Sequence, residues 1–245
     1  MKNISLFLLV IFGLIILNSC SLHIGYVKFE KKADEILPTQ AIKKYMKEHS
    51  KPSIVIKAPN IVSNATQSDP NDYIYNAIEK ELFIAGFDVK DRGLFNEVMK
   101  KSDNINYKEI KKITGTDLIL ELVVIDTKVK YTTNRFYSKK GIEKIIKDNE
   151  LYAYGATIEF KIILIENNEY AGSYSFYYTP CVGENNGCEC EIAYKNYHPI
   201  KIYPHLSFCN KNKKRPGTEA YEYVTKNAME EFVRGGVKKM IKEIR

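Results

Sequence analysis

The stretch YAYGATIEFKIIL at 152–164, followed after a polar turn by YAGSYSFYY at 170–178, decides the fold class. Successive side chains on a strand point to opposite faces. Tyr152, Tyr154, Ala156, Ile158, Phe160, Ile162 and Leu164 therefore share one face, and Ala153, Gly155, Thr157, Glu159 and Lys161 the other. The return strand sets Tyr170, Gly172, Tyr174, Phe176 and Tyr178 against Ala171, Ser173 and Ser175. Both apolar stripes fall on even numbers, so directly paired residues must have numbers with an even sum. A two-residue turn at Asn167-Asn168 would pair Ile165 with Tyr170 and send the stripes to opposite faces. The hairpin therefore requires an odd loop, such as Asn167-Asn168-Glu169, or a β-bulge.

Outward from this hairpin, Leu118–Val129 reads as a long strand with aliphatic residues on both faces, which places it centrally in a sheet. Ser53–Ile56 and Phe87–Val89 read as short strands. Between them Asp69 reads as a helix cap and Pro70 as the first helical residue, with a stripe of Ile74, Ala77, Ile78, Leu82 and Ala85 ended by Gly86. Leu94, Phe95, Val98 and Met99 mark a second helix, and Tyr107–Ile113 a third, closed by Gly115. Residues 130–150 are polar, with a helical turn at Ile142, Ile145 and Ile146. Residues 180–217 read as a Cys-bearing loop insertion. Thr218–Ile244 reads as the terminal helix, weakened by Gly235-Gly236. The expected fold class is α/β (α+β): one mixed sheet with helices packed on it, spanning 52–245.

The amino terminus is of another kind. Lys2 precedes an apolar run, Leu6–Leu17, too short to span a bilayer and suited to a secretory signal. It leads into Leu17-Asn18-Ser19-Cys20, which resembles a bacterial lipobox. The reading is a signal peptide at 1–19, lipidation of Cys20, and a tether at 20–51 that holds a short helix, Ala41–His49. The resemblance implies anchoring at the bacterial outer membrane, with the periplasmic side expected. Of 245 residues, 44% are hydrophobic and 27% charged, the balance of a globular chain, and the net charge is +7. Mean hydropathy of −0.31 excludes a multi-span membrane protein. Export argues against a nucleic-acid partner, so basic runs such as Lys211-Asn212-Lys213-Lys214-Arg215 read as solvated loop.

Three stretches carry a family resemblance. Gly86-Phe87-Asp88-Val89-Lys90-Asp91-Arg92 is similar to a strand exit ending in Asp-Arg. Ile113-Thr114-Gly115-Thr116-Asp117-Leu118-Ile119 is similar to the approach to a central strand. Ile158–Ser175 is similar to an aromatic hairpin. Together they resemble the CsgG/TolB amino-terminal-domain/PelC-like superfamily of periplasmic lipoproteins, whose fold is anticodon-binding-domain-like. The resemblance implies helices on one face of the sheet and rings built from side-by-side domains. Leu120 and Glu121 depart from the pattern, which often has a glycine there.

The chain has no G-x-S-x-G, P-loop, G-x-G-x-x-G or H-E-x-x-H motif, so no catalytic residue and no cofactor is assigned. Arg92 reads as structural, pairing with Asp91 or with free carbonyls. Cys181, Cys188, Cys190 and Cys209 form an even set in an exported chain and point to two disulfides. Either Cys181–Cys188 goes with Cys190–Cys209, or Cys181–Cys190 with Cys188–Cys209. A metal site is the rival, and its ligand gaps of six, one and eighteen fit zinc spacing poorly. The function expected is that of a non-catalytic envelope lipoprotein, a ring or adaptor with a homo-oligomeric or envelope protein partner. The alternative is a surface ligand-binding lipoprotein whose binding face is the Cys insertion with Tyr194, Tyr197, His198, Tyr203 and His205.

Overall fold

The computed structural model describes residues 23–59, 70–101, 107–147, 150–181, 190–195, 198–204 and 224–245. The chain forms two compact units. The first comprises Met1–Glu30, Tyr131–Ala153 and Pro180–Tyr221; the second comprises Lys31–Lys130, Tyr154–Thr179 and Glu222–Arg245. The α+β class holds, with two sheets where one was expected.

The second unit contains β2 (Glu35–Pro38), α1 (Gln40–Glu48), β3 (Ser53–Lys57), α2 (Asp72–Ile84), β4 (Asp88–Val89), α3 (Arg92–Lys101), α4 (Tyr107–Thr114), most of β5 (Leu118–Thr133) and of β8 (Leu151–Leu164), β9 (Glu169–Tyr178) and α5 (Lys226–Ile244). Its sheet runs β2-β9-β8-β5-β3-β4. The pairs β3–β4 and β3–β5 are parallel, and β8–β9 and β9–β2 antiparallel. Ile54, Ile56, Leu118, Leu120, Phe160 and Phe176 pack with α1, α2 and α5 in the main core. Val55 and Ile119 face the other way and meet Phe95 of α3 and Ile110 of α4. Helices therefore cover both faces, not one, because parallel strands with aliphatics on both sides need cover on both.

The hairpin resolves its parity with the bulge. Ala156 pairs with Tyr178 and Ile162 with Gly172, all even sums, but Ile163 pairs with Tyr170 and Leu164 with Glu169. Ala171 is the extra residue, and the turn is even but four residues long, Ile165–Asn168, with Asn168 at φ 49°. The bulge is also a docking point: the Ala171 carbonyl accepts from both the amide and the hydroxyl of Thr39, each at 3.0 Å. Thr39 is the N-cap of α1. Beyond the bulge Tyr170 turns outward, 49% exposed. At the other end of β8, Leu151 and Ala153 enter the core of the first unit, while Tyr152 lies 51% exposed. The apolar face expected for 152–164 thus begins only at Ala156.

Residues 23–51 are not a tether. They supply β1 (His23–Val27), β2 and α1, and α1 buries Ile42, Tyr45 and Met46 in the main core. Helix α2 begins at Asp72, two residues after the expected Pro70, and the Asn71 carbonyl takes the Ile74 and Tyr75 amides. Asp69 lies outside the described residues. Helix α5 begins at Lys226, not at Thr218, because the Thr225 hydroxyl accepts from the Ala228 amide at 3.2 Å and caps it there.

Gly236 is a packing residue. A Cβ there would stand 3.0 Å from the ring of Phe176, whereas one on Gly235 would meet nothing within 4 Å. Gly235→Ala is expected to raise stability by about 0.5–1 kcal/mol through helix propensity. Gly236→Ala should fail to deliver that gain, because Phe176 must shift. Paired urea titrations check this, and an equal gain from both would remove the packing role.

The first unit contains β1, the ends of β5 and β8, β6 (Arg135–Ser138), β7 (Glu143–Ile145), β10 (Cys190–Lys195) and β11 (His198–Pro204). Its sheet runs β11-β10-β1-β6-β7. Val27, Phe29, Phe136, Ile146 and Ile192 form its core. The helical turn expected at 142–146 is a strand hairpin. Gly141 at φ 76° lets the Ser138 carbonyl take the Gly141 amide while the Ser138 amide reaches Ile142. Part of the expected loop at 180–217 is the β10–β11 hairpin.

Candidate functional site

Of the expected site residues, Cys20, Cys188, Cys209, Tyr197 and His205 lie outside the described residues. Cys181 and Cys190 form a disulfide in the first-unit core. This discards the Cys181–Cys188 pairing and takes both sulfurs out of the metal reading. Among the described residues, no cluster of three or more His, Cys, Asp and Glu side chains could hold a metal ion.

Strand register places Tyr203 and two tyrosines that sequence reasoning missed in one row. Tyr26 stands opposite Tyr137 and opposite Glu191, and Glu191 opposite Tyr203. His198 pairs with Lys195 at the other end of β11. Tyr26 and Tyr137 alternate with buried Val27 and Phe136, so they lie on the face away from the core. The Tyr137 hydroxyl donates to Glu143 at 3.2 Å, and Arg135 stands 3.5 Å from the same carboxylate. Lys28 lies over the Tyr137 ring, 5.8 Å from its centroid. Burial, then the Glu143 hydrogen bond, raises the Tyr137 hydroxyl above its ordinary value. Tyr26 and Tyr137, with a carboxylate and two cations beside the Tyr137 ring, can stack on and hydrogen-bond a partner. The alternation His23-Ile24-Gly25-Tyr26-Val27 was the available signal. A five-residue strand with a glycine at its centre shows it weakly.

A second polar cluster joins the starts of β3 and β5. Ser53 donates its amide (3.0 Å) to Asp117 Oδ2, and its hydroxyl stands 2.6 Å from the same oxygen and 2.7 Å from the Gly115 carbonyl. The Asp117 amide returns to Ser53 Oγ at 2.8 Å, and Lys111 Nζ lies 3.2 Å from Asp117 Oδ1. Burial pushes the Tyr45 hydroxyl up, and Asp117, by charge and hydrogen bond, pushes it further. The hydroxyl of Ser53 is fully used, so the cluster holds two parallel strands in register.

Burial pushes the Asp117 carboxyl up, but the two Ser53 hydrogen bonds and Lys111 outweigh it and hold it below its ordinary 3.8. A depressed folded-state pKa stabilises above the unfolded value and is lost as pH falls through the folded one. Asp117→Asn is therefore expected to flatten the loss of stability below about pH 4. Urea midpoints between pH 2 and 6 check it, and an unchanged acid limb would refute it.

Arg92 pairs with α2, not with Asp91. It stands 3.2 Å from Asp72, 3.7 Å from Glu79 and 4.3 Å over the Tyr75 ring. Asp91 instead caps α3, accepting from the Leu94 amide at 2.6 Å. On α5, Arg234 is turned inward. Its Nε donates at 2.6 Å to Glu81, whose side chain is 2% exposed, and Glu230 lies 3.9 Å away. Lys238 also approaches Glu81, at 3.6 Å. Arg234→Ala should therefore destabilise more than Glu230→Ala, because it strips the partner from a buried carboxylate. The double variant Glu81→Leu/Arg234→Met should recover most of the loss. Thermal melts of the four proteins check the ranking, and equal effects of Arg234→Ala and Glu230→Ala would refute it.

Among the described residues no helix is long and apolar enough to cross a membrane. No family model matches the chain, and no curated protein matches it. Among solved structures it is similar to the hypothetical protein CT253 from Chlamydia trachomatis, at 9% sequence identity and a TM-score of 0.35, over 79% of this chain and 95% of that one. At that score the likeness carries no argument about fold family or function.

Proposed function

We propose that this chain is a non-catalytic bacterial envelope lipoprotein. Cys20 carries the acyl anchor at the outer membrane, and the folded units face the periplasm. There they act as a ring or adaptor in secretion or envelope assembly, in a homo-oligomer or with an envelope protein. The CsgG/TolB/PelC-like kinship belongs to this reading and draws support from the order β3-α2-β4-α3-α4-β5-β8-β9-α5 within the second unit. The observation that carries a scaffold role is the use made of the polar groups. Ser53 and Asp117 close strand starts, Arg92 ties α2 to the start of α3, and Arg234 ties α5 to α2. Light scattering of the detergent-solubilised lipoprotein tests the assembly, with a defined oligomer expected. A monomer at every concentration removes the ring. The pair Tyr26 and Tyr137 of the first unit then favours the second reading, a surface ligand-binding lipoprotein. Protease added to intact cells separates the two, since a periplasmic adaptor survives.

A further inference from the structure

The first unit has a polarity along its sheet. β1 is antiparallel to both neighbours, with Gly25 opposite Ser138 and His23 opposite Tyr194. Moving back along β1 toward His23 therefore moves forward along β6 to its tip and along β10 to its turn. The His23 end of β1, the Ser138–Ile142 tip and the paired residues Lys195 and His198 share one end of the sheet.

The β6–β7 tip at that end is both cationic and apolar. Lys139 and Lys140 are exposed, and Ile142 is 54% exposed. Residues 135–147 hold five cations, Arg135, Lys139, Lys140, Lys144 and Lys147, against one carboxylate, Glu143. Arg135 and Tyr137 already engage that carboxylate. An exposed isoleucine beside lysines is a poor surface for water and a good one for an anionic lipid interface.

The position of Cys20 supplies the occupant, and this step rests on the lipoprotein reading above. Cys20 precedes His23 by three residues, which span at most about 10 Å when fully extended. Acyl chains in a bilayer hold Cys20 at headgroup depth, so the strand end beside the tip is held at the membrane surface. We infer that the Ser138–Ile142 tip docks on the anionic headgroups of the bilayer that holds Cys20. Lys139 and Lys140 meet lipid phosphates, Ile142 enters the interface, and the sheet stands end-on. A polybasic contact adds orientation to an acyl anchor because each cation near an anionic surface is attracted separately.

The chain has no tryptophan, so a single one reports without background. Ile142→Trp is placed at the tip. Ile145→Trp, at a site 59% exposed, stands three residues or about 10 Å further along β7, away from that end. Each full-length lipidated protein is reconstituted into vesicles of phosphatidylethanolamine and phosphatidylglycerol with a headgroup spin-labelled lipid. The mass of the amino-terminal peptide reports acylation independently. The expected result is an acylated protein whose Ile142→Trp emission is blue-shifted and several-fold more quenched than that of Ile145→Trp. Lys139→Glu/Lys140→Glu in the Ile142→Trp background should remove most of that quenching. An acylated protein with equal or reversed quenching at the two sites overturns the docking and leaves the anchor standing. A protein without acyl chains overturns the anchor and the docking with it.

Discussion

Phe160→Ala is expected to lower the unfolding free energy by about 3–5 kcal/mol, as truncation of a buried phenylalanine does. The ring is completely buried in the main core and meets Phe176 on the neighbouring strand, with centroids 6.1 Å apart. Removing it deletes the apolar contact and leaves a cavity in the main core, on the face of β8 and β9, that close-packed neighbours fill only partly. Glu159→Ala, one residue away, should cost less than about 1 kcal/mol. Glu159 pairs with Ser175 on the opposite face and is only half-buried. Urea titrations with unchanged m-values check both. A reversed order would mean that the two faces had been exchanged, which a one-residue slip of register would do.

Cys20→Ala is expected to abolish acylation entirely and to leave the precursor uncut, if the lipobox works as its resemblance implies. In the proposed reading the Cys20 thiol takes the first lipid, and cleavage before residue 20 follows that attachment. The mass of the membrane-extracted protein reads both events at once: wild type should lack residues 1–19 and carry acyl chains, and the variant neither. Several chains are needed for firm anchoring, since one alone binds only marginally. The variant should therefore also lose the blue-shifted emission of Ile142→Trp in vesicles. A wild-type protein without acyl chains would end the lipoprotein reading.

Local pattern reached far in this chain. The even-numbered stripes of the central hairpin required an odd loop or a bulge, and the bulge at Ala171 is what the fold uses. The strand expected at Leu118–Val129 does lie inside the sheet, between β8 and β3, but both its faces are covered only over 118–122, and the residues beyond are part-buried or exposed. These features were legible because alternation and helical spacing are properties of a few consecutive residues.

Residue pattern alone set the type of most elements, many of the residues that face the core, and that Cys181 and Cys190 belong to a disulfide-forming set. It did not determine the role of residues 23–51, the second sheet, or the partners of Arg92 and Arg234. Those were decided by contacts between distant segments. β1 joins strands of the first unit more than a hundred residues on, β2 lies against β9, and Arg234 of α5 reaches Glu81 of α2. A five-residue strand has too few alternations to declare itself, and becomes a strand only when neighbours take its backbone hydrogen bonds. Which carboxylate a long cation meets depends likewise on where the helices come to rest, and only the packed structure sets that.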